Sequence, residues 1–159
     1  AGRPQLFFEK EKYGGILCDI GSHQIEQYLF YAGEEDGTVS RSRIANYAHP
    51  QYPELDDFGD CAINGANGTT FYFRVDWFTP DGLRTWGDGR TIIIGTKGDI
   101  EIRKQYINAT GLTGYPFFGD LILDSLNRTE NAMTQAHAFK AAELCLIAQK
   151  QAEMVYQAK

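Results

Sequence analysis

Alternating apolar and polar positions are clearest in residues 69–78, TTFYFRVDWF, and they predict a β-strand there. Shorter runs rich in β-branched residues predict further strands at 38–47, 59–64, 92–94 and 100–103. Glycine, proline and asparagine lie between several of these runs and indicate short turns, so we expect antiparallel pairing. The face of strand 69–78 expected to meet the helices carries Thr69, Phe71, Phe73, Val75 and Trp77.

Apolar residues recur at helical spacing in residues 20–32 and predict a helix. Ser22 or Asp19 can cap its start, and Gly33 suits the position just past its end. The first 13 residues have no such spacing and are expected to be extended.

The C-terminal part of the chain predicts a short helix over 119–127 and a long one over 130–157, with Thr129 as its cap. Alanine, glutamine, glutamate, leucine and lysine dominate the long segment, and all of them favour helices. The residues expected in its buried stripe include Phe139, Ala142 and Leu146.

The order of these elements, a helix, then strands, then helices, predicts one α+β domain over residues 1–159. We expect an open, mostly antiparallel β-sheet with helices packed on one face. The other face would carry Tyr72 and Phe78 beside Arg74 and Asp76. Large aromatics among a few charges suit a partner surface, so we expect a homodimer formed sheet to sheet, with Arg74 of one copy near Asp76 of the other.

Composition narrows the class of protein further. The chain has 159 residues, 43% of them hydrophobic, and a net charge of −6, which is typical of a globular domain and offers no basic field for nucleic acid. No apolar run approaches the roughly 20 residues of a membrane span. Three widely spaced cysteines form no CxxC pair and no disulfide framework, which favours a reducing compartment, and we expect a cytoplasmic protein.

Residues 19–23, DIGSH, are the strongest candidate for chemistry. Asp19 and His23 are four residues apart and would share one face across a helix N-terminus. A helix N-terminus favours the neutral imidazole, which can take a proton from a hydroxyl while the carboxylate orients it. The alternative from spacing alone is that Asp19 only caps the helix and His23 is an ordinary helical histidine.

The run 14–25, GGILCDIGSHQI, resembles the GG-x-x-x-D-x-G-x-H motif of the Gfo/Idh/MocA oxidoreductases, relatives of glucose–fructose oxidoreductase and inositol dehydrogenase. Segments 76–104 and 129–149 are similar to the sheet and the C-terminal helix of that family. The resemblance implies the family's C-terminal domain, which has the fold type of the glyceraldehyde-3-phosphate dehydrogenase C-terminal domain. The family's Glu-Lys-Pro motif belongs to its Rossmann domain and is absent here.

The resemblance also implies roles for particular residues. His23 matches the family's acid/base residue, and Asp19 matches the carboxylate that supports it and binds the sugar. Arg3 resembles the arginine of a Gly-Arg-Pro stretch that could reach the substrate. Apart from the resemblance, Trp86 and Arg90 lie in a polar, glycine-rich loop that could close over a sugar; the alternative is a structured turn.

The function implied is the substrate-binding and catalytic domain of an NAD(P)-dependent dehydrogenase that acts on a sugar or polyol hydroxyl. The alternative is a ligand-binding, regulatory or dimerisation module of the same fold. Neither GxGxxG after a strand nor GxxxxGK(S/T) occurs in the chain. We therefore expect NAD or NADP to be bound by the full-length parent, and this fragment alone to bind none and to be inactive. The histidines lack partners at metal-ligand spacing, so no metal site is expected.

Overall fold

A computed structural model describes residues 4–83, 87, 89–103 and 116–159 of the chain. The helices are α1 (Lys10–Tyr13), α2 (Ile16–Asp19), α3 (Gly21–Ala32), α4 (Pro116–Asn127) and α5 (Gln135–Gln151), with 3₁₀ turns at Gln5–Phe8 and Asp81–Leu83. The strands are β1 (Gly37–Asn46), β2 (Phe58–Gly65), β3 (Thr70–Asp76), β4 (Arg90–Gly95), β5 (Gly98–Arg103) and β6 (Glu153–Gln157).

The main sheet has four strands in the order β3-β2-β1-β6. β1, β2 and β3 pair antiparallel through consecutive connections, whereas β6 lies parallel to β1. β4 and β5 form a separate antiparallel hairpin. The predicted α+β class with a mostly antiparallel sheet is confirmed.

The alternation in β3 has the predicted orientation. Phe73 and Val75 are buried, and Phe71 and Trp77 pack half-buried against the same core, while Tyr72 is 60% exposed. Helices α2, α3 and α5 cover this side of the sheet. The core therefore lies between one helical layer and one sheet face, and the other face of β3 is open.

The helix predicted over 20–32 is confirmed as α3 preceded by the single turn α2. Ile25 and Leu29 point into the core and are 0% and 1% exposed. Gly33 ends α3 with a positive φ of 65°, a conformation that glycine adopts without strain.

The extended conformation expected for the N-terminal residues is wrong for the described part, which forms a 3₁₀ turn and α1. This segment packs on the loop between β1 and β2. The rings of Phe8 and Tyr52 stack with centroids 3.9 Å apart, and Lys10 Nζ donates to Asp56 Oδ1 at 3.0 Å. Long-range contacts thus fold a segment whose local pattern carries no helical signal.

The predicted helix over 130–157 is too long at both ends. Asp124, at the end of α4, accepts hydrogen bonds from the backbone N–H groups of Asn131 and Ala132 at 2.9 and 2.7 Å. These residues therefore form a turn, and the helix is capped by Thr134, not Thr129, through a bond from the His137 N–H to Oγ1 at 3.1 Å.

At its C-terminal end the helix stops at Gln151, and the chain continues as β6. The free edge of β1 offers backbone partners, and Met154 and Tyr156 pair there with Ile44 and Ala45, while Val155 lies at an irregularity between them. The Ala158 N–H donates to the Asn46 carbonyl at 2.7 Å and extends this attachment.

The buried stripe predicted for the last helix is also wrong. Phe139 and Leu146 are 70% and 64% exposed, and Ala142 is exposed as well. Small residues dominate the stripe that faces the sheet, which lets α5 approach β1 and α2 closely. The buried residues of this stripe are Ala141, Leu144, Cys145 and Ala148.

The three cysteines are free thiols. Burial raises the pKa of Cys61 and of Cys145 to about 12, so both stay protonated at neutral pH. Among the described residues, no helix combines the length and the hydropathy needed to cross a bilayer.

Candidate active site

The candidate site is built on the junction between α2 and α3. Gly14 and Gly15 precede it with φ values of 80° and 89°, so the chain enters α2 through a turn that other residues adopt only with strain. Ile20, between the two helices, keeps helical angles of φ −81° and ψ −39°. Asp19 therefore ends α2, and His23 lies about one turn later in α3.

The start of α2 is held by side chains from distant parts of the chain. The Leu17 N–H donates to Gln149 Oε1 at 3.0 Å, and the Ile16 N–H lies 3.4 Å from Asp56 Oδ2. Asp56 is 1% exposed. The site thus rests on a polar cluster that is buried under α2.

Asp19 is half-buried and lies close to that cluster. Its backbone carbonyl accepts a hydrogen bond from Ser22 Oγ at 2.8 Å, which tightens the junction. Burial raises the pKa of the Tyr13 hydroxyl well above its usual value, and the carboxylates of Asp56 and Asp19 raise it further. The Asp19 carboxylate is therefore near enough to Tyr13 to act on it electrostatically.

His23 is exposed and lines one end of an open groove of about 840 Å³ between α3 and the region 130–142. We name this the α3–α5 groove. Phe30 and Tyr31, which are 70% and 52% exposed, line it further along α3. His23 is accordingly accessible to a ligand, whereas a histidine packed in the core would not be.

Two residues of the groove were not singled out by the sequence. The side chain of His137 is only 20% exposed, and its Nε2 lies 3.3 Å from Glu26 Oε1. Glu26 follows His23 by three residues on α3, a spacing that could have suggested it. No local signal links His137 to α3, because 111 residues separate it from Glu26.

The remaining predicted site residues are Arg3, Trp86 and Arg90. Arg3 and Trp86 lie outside the described residues. Arg90 is exposed at the start of β4. In the register of the separate hairpin, its backbone lies opposite that of Arg103. Its role in substrate binding stays a prediction.

The start of α2 does not fit a dinucleotide. A pyrophosphate binds at an open helix N-terminus after a glycine-rich turn. Gly14 and Gly15 lead into α2, but Asp56 and Gln149 already occupy its first N–H groups, and a carboxylate there repels phosphate. Within the part of the chain that the structure describes, no group of three histidine, cysteine, aspartate or glutamate side chains could hold a metal ion.

Comparisons with known proteins agree on one family. A family model described as the GFO/IDH/MocA C-terminal domain matches residues 2–101. A protein from Erwinia carotovora atroseptica assigned as an oxidoreductase is 48% identical, with a TM-score of 0.90, over 98% of this chain and 53% of its own. No curated protein gives a significant match.

Two more distant structures share the fold. One, from Thermotoga maritima and also assigned as an oxidoreductase, is 20% identical with a TM-score of 0.83, over 96% of this chain and 49% of its own. The other is GenD2 from gentamicin A biosynthesis, solved in complex with NAD, which is 19% identical with a TM-score of 0.64, over 95% of this chain and 49% of its own. The chain therefore spans about half the length of each structure described.

Proposed function

Because the chain belongs to the GFO/IDH/MocA family and matches its C-terminal domain, we propose that it is the substrate-binding and catalytic domain of an NAD(P)-dependent dehydrogenase. The proposed substrate is a sugar or polyol that reacts at one hydroxyl-bearing carbon. The observation that carries this proposal is the placement of Asp19 and His23 one turn apart at a helix junction, with His23 exposed in the α3–α5 groove.

Oxidation of a hydroxyl-bearing carbon removes a proton from oxygen and a hydride from carbon. The neutral imidazole of His23 accepts the proton, and the Asp19 carboxylate stabilises the imidazolium that results. NAD or NADP, bound by a nucleotide-binding half of the complete protein, would supply the redox chemistry. The chain's own contribution is to bind and orient the substrate and to move the proton.

The lining of the groove supports a polyhydroxylated substrate. His23, Glu26 and His137 offer donors and acceptors to hydroxyl groups, and Phe30 and Tyr31 offer aromatic surface to the apolar face of a ring. The free thiols of the three cysteines support a cytoplasmic location.

The proposal predicts that cofactor binding and turnover require more than this chain. Isothermal titration calorimetry of the 159-residue chain with NAD or NADP should give no binding heat, because the sequence has no GxGxxG turn and the start of α2 offers no open phosphate site. The complete protein, with a nucleotide-binding half, should reduce NAD or NADP in the presence of cyclic polyols or sugars, followed by absorbance. Simple monohydric alcohols serve as the matched control.

Two results would overturn this assignment. Saturable cofactor binding to the chain alone would place the cofactor site within it. Polyol binding by the complete protein without any turnover would favour the regulatory module, which needs no acid/base pair.

The open sheet face supports a homodimer as a second part of the proposal. Tyr47 stacks on Tyr156 with centroids 5.2 Å apart and meets the edge of Phe58 at 5.5 Å. Nearby, Arg43 forms an ion pair with the buried carboxylate of Asp60. This face combines aromatic surface with internally satisfied charges, which is the composition of an interface core.

The charge pairing between copies that the sequence predicted is not required. Arg74 already bonds Asp76 of its own strand, with Nη2 and Oδ2 3.0 Å apart. Aromatic packing would therefore provide most of the association energy, and the ion pair would remain within each copy.

Light scattering of the chain tests the sheet-face dimer. Tyr72→Lys should convert the dimer to a monomer, because it places a charge in the aromatic interface. In the wild-type chain the Tyr72 hydroxyl donates to Asp60 Oδ2 at 3.1 Å. The lysine ammonium can still reach Asp60, so the variant keeps a partner for that carboxylate. Ile94→Lys is the control, since Ile94 is 83% exposed on the separate hairpin. A monomeric wild-type chain, or equal loss of dimer in both variants, would contradict the sheet-face interface.

A further inference from the structure

The first backbone N–H groups of α2 donate hydrogen bonds to acceptors that lie far away in the sequence. Residues at a helix start normally use the side chain of the residue before the helix, but that residue here is Gly15, which has none. Asp56, 40 residues away from Ile16, and Gln149, 132 residues away from Leu17, provide the acceptors instead. Two distant segments of the chain thus meet at the start of a four-residue helix.

The two acceptors are joined to each other and to α1. Gln149 Nε2 donates to Asp56 Oδ2 at 3.0 Å, and Lys10 Nζ donates to Asp56 Oδ1 at 3.0 Å. We name Lys10, Asp56 and Gln149 the α2 clamp. Each carboxylate oxygen of Asp56 has a partner, so this buried charge is compensated on both sides.

Stability alone is a weak reason for such an arrangement. A buried charge loses its hydration, and well-packed apolar residues of similar size are often as stabilising or more so. Hydrogen bonds are directional, however, and they fix the orientation of a short helix in a way that apolar contacts do not. The clamp therefore adds a directional constraint on α2 to the apolar contacts of the buried Ile16 and Leu17.

Close packing at Gly15 fits the same role. A Cβ atom on Gly15 would lie 2.2 Å from Gln149 Cδ, so the turn leaves room for this one side chain. Within α2, the Asp19 N–H donates to the Gly15 carbonyl at 2.9 Å, so one hydrogen-bonded turn connects Gly15 to Asp19. Any reorientation of its first N–H groups therefore displaces Asp19.

We propose that Asp56 and Gln149 are positioning residues that fix the orientation of Asp19 relative to His23. Neither residue lines the α3–α5 groove, so they act through α2 and not on the substrate. This inference rests on the proposed function for its catalytic meaning, but the orientation of α2 is measurable without turnover.

An exchange of the two functional groups tests the proposal in the 159-residue chain. Asp56→Asn places an amide donor against the Gln149 amide, and Gln149→Glu places a second carboxylate against Asp56. The double variant, Asp56→Asn with Gln149→Glu, again pairs one donor with one acceptor and keeps an acceptor for the Leu17 N–H. Gln149→Met removes both bonds without adding charge, in case the charged variant fails to fold.

Two NMR measurements report on the clamp. Hydrogen exchange at the Leu17 amide should accelerate about fivefold in Gln149→Met, since one hydrogen bond is worth about 1 kcal/mol. Residual dipolar couplings of the Asp19 and His23 amides should change relative to those of β1 to β3 in both single variants, and they should return towards wild type in the double variant. A purely stabilising role would leave these folded-state couplings unchanged.

The control is Gln151→Met, which removes a glutamine bond from the same helix, to the Val39 carbonyl at 3.2 Å, without touching α2. It should leave the hydrogen-exchange rate of the Leu17 amide and the residual dipolar couplings of Asp19 and His23 unchanged. Unchanged couplings in all clamp variants would overturn the inference.

In the complete protein, the single variants should lower kcat about tenfold with KM within about twofold, and the double variant should recover. If His23→Ala lowers turnover but the clamp variants do not, the positioning role is wrong. If His23→Ala has no effect on turnover, the proposed function is wrong, and the residual dipolar couplings alone test the clamp.

Discussion

His23→Ala in the complete protein is expected to lower kcat on the order of 10²–10⁴-fold, the usual contribution of a general acid or base. His23 is exposed at the α2–α3 junction, so its removal leaves no cavity and should cost little stability. Steady-state kinetics with the preferred polyol, together with circular dichroism of the variant, measure both effects. Asp19→Asn should lower both turnover and substrate affinity, because it misorients the imidazole and removes a contact to the substrate.

His49→Gln is the matched control for the His23 substitution. His49 Nδ1 lies 2.9 Å from the buried Asp57 carboxylate, in the loop after β1 and outside the α3–α5 groove. Turnover of this variant should stay near wild type. Near-normal turnover in His23→Ala with an intact fold would make His23 an ordinary surface histidine and would remove the main support for an acid/base role.

Leu144→Ala is expected to lower the free energy of unfolding by about 2–5 kcal/mol, the range for a leucine deleted from a packed core. Leu144 is 1% exposed and packs between α5 and the sheet. Urea denaturation of the 159-residue chain, followed by circular dichroism, gives the difference from wild type.

Leu146→Ala, two residues further along the same helix, is the control. Leu146 is 64% exposed, so its truncation should change the free energy of unfolding by no more than about 0.5 kcal/mol. Equal losses in the two variants would mean that the buried face of α5 is not the one described, or that Leu146 is covered in an oligomer. Light scattering at the same concentration separates these two explanations.

The proposed site and the proposed dimer surface lie on different sides of the sheet. His23 and the groove belong to the helical side, and the aromatic cluster around Tyr47 and Phe58 lies on the opposite side of the sheet. A dimer formed through the sheet would therefore leave the groove accessible. Substitutions at Tyr72 should change the oligomeric state without changing kcat, which is a direct check on this separation.

The sequence by itself determined the features whose cause is local. Alternation in β3 set its buried face, because successive side chains in a strand point to opposite sides. Gly33 ended α3 because glycine adopts positive φ without strain. The motif from Gly14 to His23 located the candidate site and indicated the family, since all of its residues lie within one short segment.

Only the tertiary structure decided the features that depend on distant partners. Helix α5 carries two apolar stripes, and the spacing of apolar residues does not indicate which of them is buried. The stripe with small residues faces the sheet, because Ala141 and Ala148 allow a closer approach than Phe139 would. β6 formed because β1 had a free edge, although its sequence continues a helical composition. His137, Asp56 and Gln149 reached the site across 40 to 132 residues of chain. Contacts over such separations leave no local pattern, since they arise from how the helices and strands pack and not from the neighbours of each residue in the sequence.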